Sequence, residues 1–206
     1  MSPERTFAGG SLLRHVADIR RLVEETGART LLDYGAGKGQ QYAWQDVQLP
    51  DGSRIESLTA YWGVAEVARY DPGYEPLARL PHGTFDGVIC TDVLEHCPAE
   101  DIPWIVEEIF AYARRFVYAN IASFQAIKTL PNGENAHCTI RSPDWWHGLL
   151  HAIAYRHPGV RYRILVDTKM ERPTLLRRRQ AMLTTTVLDN RDELINRSSA
   201  TSAATT

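Results

Sequence analysis

Three short segments hold the residue types that can do chemistry. The first is Asp33-Tyr34-Gly35-Ala36-Gly37-Lys38-Gly39, an acid followed by three alternating glycines. Glycine lets a backbone pass close to a ligand and adopt positive φ, so the run reads as a ligand-binding turn. The second is Asp71-Pro72-Gly73, a carboxylate at a turn. The third is Thr91-Asp92-Val93-Leu94-Glu95-His96, joined much later by His137 in Asn135-Ala136-His137. Histidine moves protons near neutral pH, so His96 and His137 are the candidate catalytic residues.

The glycine spacing sorts the ligands. A dinucleotide fold wants G-x-G-x-x-G with an acid about 20 residues on. Here the spacing is G-x-G-x-G, and Asp71 lies 32 positions past Gly39. A Walker loop is excluded, because no Ser or Thr follows Lys38. The pairs His96-Cys97 and His137-Cys138 lack zinc spacing, so the expectation is no metal. Trp145 and Trp146 are adjacent, so one helix cannot turn both inward. Both are candidate substrate contacts, since tryptophan offers a broad amphipathic surface.

These segments need elements to hold them. Leu12, Val16, Ile19 and Val23 share a helical face over 11–26, with Ser11 as N-cap and Gly27 as the stop. Thr30 to Tyr34 reads as a buried strand, and a helix is expected from about Gly39, carrying Gln41, Tyr42 and Trp44. Residues 50–63, with Asp51-Gly52, read as an irregular or hairpin insertion. Strands follow at Glu66 to Tyr70 and Phe85 to Thr91. Pro98 is placed in the first turn of a helix whose stripe is Ile102, Ile105, Val106, Ile109, Phe110 and Ala113. Arg115 to Ile121 is a further strand, 123–141 a loop, and Ser142-Pro143 the cap of a helix through Ile153. Val160 to Thr168 and Met182 to Leu188 close the sheet. Strands alternating with helices predict an α/β fold, a mostly parallel sheet with helices on both faces.

The totals narrow the classes. A chain of 206 residues with 44% hydrophobic and 23% charged residues can bury one ordinary core. The expectation is a single domain over 1–190 and a disordered tail over 191–206, ending in a Ser, Thr and Ala run. The formal net charge of −2 argues against nucleic acid. The arginines Arg172, Arg177, Arg178 and Arg179 keep that alternative open. Three cysteines, an odd number in no framework, imply a reducing compartment. Without an apolar leader or span, the expected location is the cytoplasm, with no membrane partner. Oligomeric state is not legible.

Leu31 to Gly39 resembles motif I of class I S-adenosylmethionine-dependent methyltransferases, which have a Rossmann-like fold. Phe85-Asp86-Gly87-Val88-Ile89-Cys90-Thr91-Asp92-Val93-Leu94-Glu95-His96 resembles their fourth motif, and Asp71 falls where they place a ribose-binding acid. More loosely, the chain is similar to small phage and bacterial methyltransferase-like proteins. The resemblance implies S-adenosylmethionine as cofactor. It implies a site of Asp33, Tyr34, Gly35, Ala36, Gly37, Gly39, Asp71, Pro72, Thr91, Asp92 and Val93. Leu80 and Pro81 would join Pro72 in an adenine slot. The expected activity is methyl transfer to an unidentified acceptor, a small molecule. The alternatives are an RNA methyltransferase and a cofactor-binding protein without catalysis. Asp92, Glu95, His96 and His137 also mimic a segment with which some nucleic-acid 3′-end methyltransferases hold a cation. The acidic net charge weighs against that.

Overall fold

A computed structural model describes residues 10–173 and 179–191. The strands are β1 (Thr30–Tyr34), β2 (Val47–Gln48), β3 (Arg54–Ile55), β4 (Glu66–Tyr70), β5 (Phe85–Thr91), β6 (Ala113–Ala122), β7 (Arg161–Pro173) and β8 (Arg179–Asp189). The helices are α1 (Val16–Thr26), α2 (Leu58–Trp62), α3 (Ile102–Tyr112) and α4 (Pro143–Ala154). Six strands form a mixed, mostly parallel sheet in the order β4-β1-β5-β6-β7-β8, a Rossmann-like α/β arrangement. The contacts gather into two compact units. Over the described residues, one is 10–91 with 109–118, the other 92–108 with 119–173 and 179–191. The expected tail from 192 on, and Arg177 and Arg178, lie outside the described residues. No helix among the described residues is long and apolar enough to cross a membrane.

In the first unit, β1 pairs in parallel with β4 on one side and β5 on the other. The chain therefore leaves β1, adds β4, and crosses back to β5. A sheet that reverses direction this way opens a crevice at the carboxyl ends of those strands. Asp86 fixes the opposite ends. Its carboxylate accepts from Arg29 N–H at 2.8 Å and Thr30 N–H at 3.1 Å. Arg114 and Arg115 lie 3.0 and 3.3 Å from its other oxygen. Burial by itself would raise this acid. The two N–H donors and the Arg114 guanidinium outweigh it and hold Asp86 below the usual carboxylate range.

Some expected elements are displaced. The first helix does not begin at Ser11. Residues Gly10–Arg14 form a 3₁₀ turn, and α1 starts after His15. Its stop is as expected, with Gly27 at φ 64°. No α-helix follows β1. Gln40–Ala43 make a 3₁₀ turn, and Trp44 leaves it in an extended conformation. That segment buries Gln41 alone. Without an apolar stripe, propagation does not offset the cost of nucleating a helix. The insertion resolves into the β2–β3 hairpin around Asp51-Gly52 and the short α2. Pro98 lies four residues ahead of α3, and Pro103 takes the first-turn position instead. The stripe expected for α3 is buried throughout.

In the second unit, β7 and β8 form a long antiparallel pair. Ser142 caps α4 by accepting from Trp145 N–H, and Trp146, Leu150 and Ile153 face inward.

Candidate functional site

The glycine loop of the first unit leaves β1 at the reversal point of the sheet. Gly35, Gly37 and Gly39 have φ of 86°, 58° and 64°, in the left-handed region. The N–H groups of Gly35 and Ala36 both donate to Tyr70 O, at 2.8 and 3.0 Å, which ties the loop to the end of β4. A Cβ on Gly39 would stand 2.8 Å from Arg69 Cδ. Asp71, one residue past β4, accepts from Gly37 N–H at 2.7 Å on Oδ2 and from Gly73 N–H at 2.8 Å on Oδ1. Each oxygen keeps a further acceptor position. Pro72 and Leu80 are exposed, so the expected adenine slot is not enclosed by them.

Behind the loop sits a buried acid. Asp33 is 2% exposed. Burial pushes it up to about 7, and Asp71 adds to that, while hydrogen bonds from Tyr42 and Gln41 pull it down. Tyr42 donates to Asp33 Oδ2 at 2.7 Å, and Gln41 Nε2 donates to the same oxygen and to Ala36 O, both at 3.3 Å. Gln41 Oε1 is buried and accepts no hydrogen bond. Tyr34 is also buried, its ring packed edge-on against Tyr70 at 4.9 Å. Thr91 is half-buried at the end of β5. A cavity of about 370 Å³ lined by Arg20, Glu24, Arg29 and Tyr61 lies at the amino end of β1 and contains none of these residues.

The second group belongs to the second unit. Asp92 has φ 54°, uncommon for a residue other than glycine. Val93 leads into a 3₁₀ turn, Leu94–His96. Glu95 is 1% exposed. Its Oε1 accepts from Ala122 N–H at 3.0 Å, and its Oε2 is buried without a partner. Burial pushes Glu95 up to about 7, partly offset by backbone hydrogen bonds. His96 is exposed, and His137 stands beside it with ring centroids 4.9 Å apart. Asn135 bends the loop that brings His137 there. Its Oδ1 accepts from the N–H of Ala126 and of His137, and its Nδ2 donates to Ala126 O. Trp146 is 0% exposed and belongs to the core. Trp145 stays half-buried under the Arg141 guanidinium, 5.5 Å from its ring centroid.

No protein-family model matches the sequence, and no curated protein is significantly similar to it. Among solved structures, it is similar to an O-methyltransferase family protein from Burkholderia thailandensis. The two share 13% identity with a TM-score of 0.40 over 89% of this chain. The match spans 61% of that protein's length. At that score the likeness says nothing of activity.

Sequence reasoning placed Asp33 and Asp71 correctly at strand ends. It did not connect Gln41 and Tyr42 to Asp33. The signal was present in their types, two polar donors close after a buried acid. The helix expected there hid it.

Proposed function

We propose that the protein transfers a methyl group from S-adenosylmethionine to a small-molecule acceptor. The observation that carries this reading is the hydrogen bond from Gly37 N–H to Asp71, made where the sheet order reverses. It pairs a left-handed glycine turn with a carboxylate that has acceptor positions to spare, a cradle for a nucleoside with two ribose hydroxyls.

The missing helix separates this ligand from a dinucleotide. A pyrophosphate is held at the amino end of an α-helix after the glycine turn. Here only the four-residue turn Gln40–Ala43 follows. S-adenosylmethionine carries no phosphate and needs no such helix. Its sulfonium and ammonium are positive, and the nearby carboxylate of Asp71 suits positive charge. Gln41 Oε1, buried without a donor, suits the ammonium as an acceptor.

In this role Gly35, Ala36 and Gly37 line the cofactor with backbone, and Asp71 accepts from the ribose. Asp33 anchors Tyr42 and Gln41 behind the loop, and Gln41 ties them to it at Ala36 O. The cofactor supplies a methyl carbon already activated by positive sulfur. With the cofactor held there by the loop and Asp71, its methyl group would be open to a lone pair of the acceptor, and the acceptor's proton would pass to a base or water. The protein's contribution is alignment, which can supply much of the rate. The formal net charge of −2 favours a small acceptor over nucleic acid.

The test is calorimetric titration with S-adenosylmethionine, for wild type and Asp71→Ala. Saturable binding that weakens at least tenfold in the variant supports the reading. No binding by wild type at high micromolar cofactor overturns it.

A further inference from the structure

We propose that Glu95, His96 and His137 bind a divalent transition-metal ion, of the zinc, cobalt or manganese kind. One ligand atom from each residue lies within 4.8 Å of the others. All three belong to the second unit.

The histidines are set in one tautomer. His96 Nδ1 lies 2.8 Å from Ala136 O, and His137 Nδ1 lies 2.5 Å from Phe124 O. A carbonyl only accepts, so each Nδ1 carries the proton and donates. Each Nε2 is then left with a lone pair. A backbone carbonyl on the far ring nitrogen is how proteins commonly fix a metal-binding imidazole. The two rings meet edge-on with centroids 4.9 Å apart, which brings their open nitrogens to one place.

The carboxylate supplies the second, independent observation. Glu95 is 1% exposed, and its Oε2 accepts no hydrogen bond. A buried acceptor without a donor is costly, and such groups call for an explanation. Ala122 N–H holds only the other oxygen, so the carboxylate is oriented with one oxygen open. A cation between Glu95 and the two rings completes all three.

Donor chemistry selects the ion. Two imidazoles with one carboxylate suit zinc and its neighbours, whereas magnesium and calcium prefer oxygen alone. Three protein ligands leave a position for water or a ligand. The exposed His96 provides access. Bonds of about 2.0–2.2 Å place tetrahedral donors about 3.4 Å apart, so the set closes with a shift of roughly an ångström. This role replaces general-base use of His96 and His137, because a metal-bound Nε2 takes no proton.

The experiment uses the full chain, stripped with a chelator and titrated with Co²⁺, followed by visible absorption, and with Zn²⁺ by calorimetry. One equivalent is expected, with the intense absorption of four- or five-coordinate cobalt. Glu95→Gln keeps the shape and the Ala122 contact, and should weaken binding at least tenfold. His96→Ala, at an exposed position, should do the same without touching the core. His147→Ala disrupts the exposed His147–His151 pair on α4 and should change nothing. Absence of a cobalt band overturns the proposal. So does binding that survives Glu95→Gln and is lost in His147→Ala. No S-adenosylmethionine is present, so failure here leaves the methyltransferase reading untouched.

Discussion

The Gly37 amide donates to Asp71 Oδ2 at 2.7 Å, linking the turn after one strand to the end of its neighbour. The bond holds the loop in shape and aims the carboxylate. Asp71→Asn keeps an acceptor but loses half of its capacity for hydroxyls. Gly37→Ala forces a side chain onto φ 58°, costing about 1–2 kcal/mol of local strain. Both variants should stay folded and bind S-adenosylmethionine at least tenfold more weakly by calorimetry. Unchanged affinity in both would remove the loop from the cofactor site.

Asp33 makes stability depend on pH in an unusual direction. Its acid stands near 7 in the fold, against 3.8 ordinarily, because it is buried. Between those values the folded chain keeps a proton that the unfolded chain has released. The contribution is therefore full at low pH and lost as pH rises towards 7. Asp33→Asn keeps an acceptor for Tyr42 and cannot ionise. Its stability relative to wild type should climb by about 3 kcal/mol between pH 4 and 8, read by urea unfolding. A flat difference would mean that Asp33 ionises freely in the fold. Glu95 shifts in the same direction, so only the difference between variant and wild type isolates Asp33.

Much of this was legible because the relevant forces are local. Short apolar runs bounded by glycine located β1, β4 and β5, and a 3.6-residue stripe located α1 and the inner face of α3. Adjacent tryptophans could not share a face, and Trp146 alone is fully buried. What was illegible depends on contacts distant in sequence. His96 and His137 stand out by residue type, and the resemblance groups them, but no local pattern in the sequence shows that the two rings meet. Their meeting depends on Asn135 folding a loop through three hydrogen bonds. The helix expected after Gly39 failed for another reason. Polar positions there are used tertiarily, with Gln41 and Tyr42 turned onto Asp33.

Gly87 is required by the sheet itself. A Cβ there would lie 2.3 Å from Phe116 Cζ and 2.8 Å from Leu31 Cδ2. Gly87→Ala should destabilise the protein by about 1–3 kcal/mol, the usual cost of overpacking. Phe116→Leu removes the clashing ring edge. The double variant should then lose less than the two single losses added together, by at least about 1 kcal/mol. Additive losses in denaturant unfolding would point to a backbone cause instead.

Asp86 predicts the opposite pH behaviour from Asp33. Burial would raise its acid, yet the Arg29 and Thr30 amides and the Arg114 guanidinium bring it below the ordinary value. Its stabilisation is therefore complete above about pH 4 and fades as pH falls through the lowered value. Asp86→Ala leaves the two strand-entry amides without their acceptor and should cost about 2–4 kcal/mol at pH 7. The gap to wild type should narrow as the pH falls below 4. Asp86→Asn separates the two effects, since its carbonyl can keep one amide while the charge is gone. If Asn matches wild type at pH 7, the arginines contribute nothing, as partly exposed ion pairs often do. If it falls midway, both the amides and the guanidiniums hold the acid, which is the outcome the geometry favours.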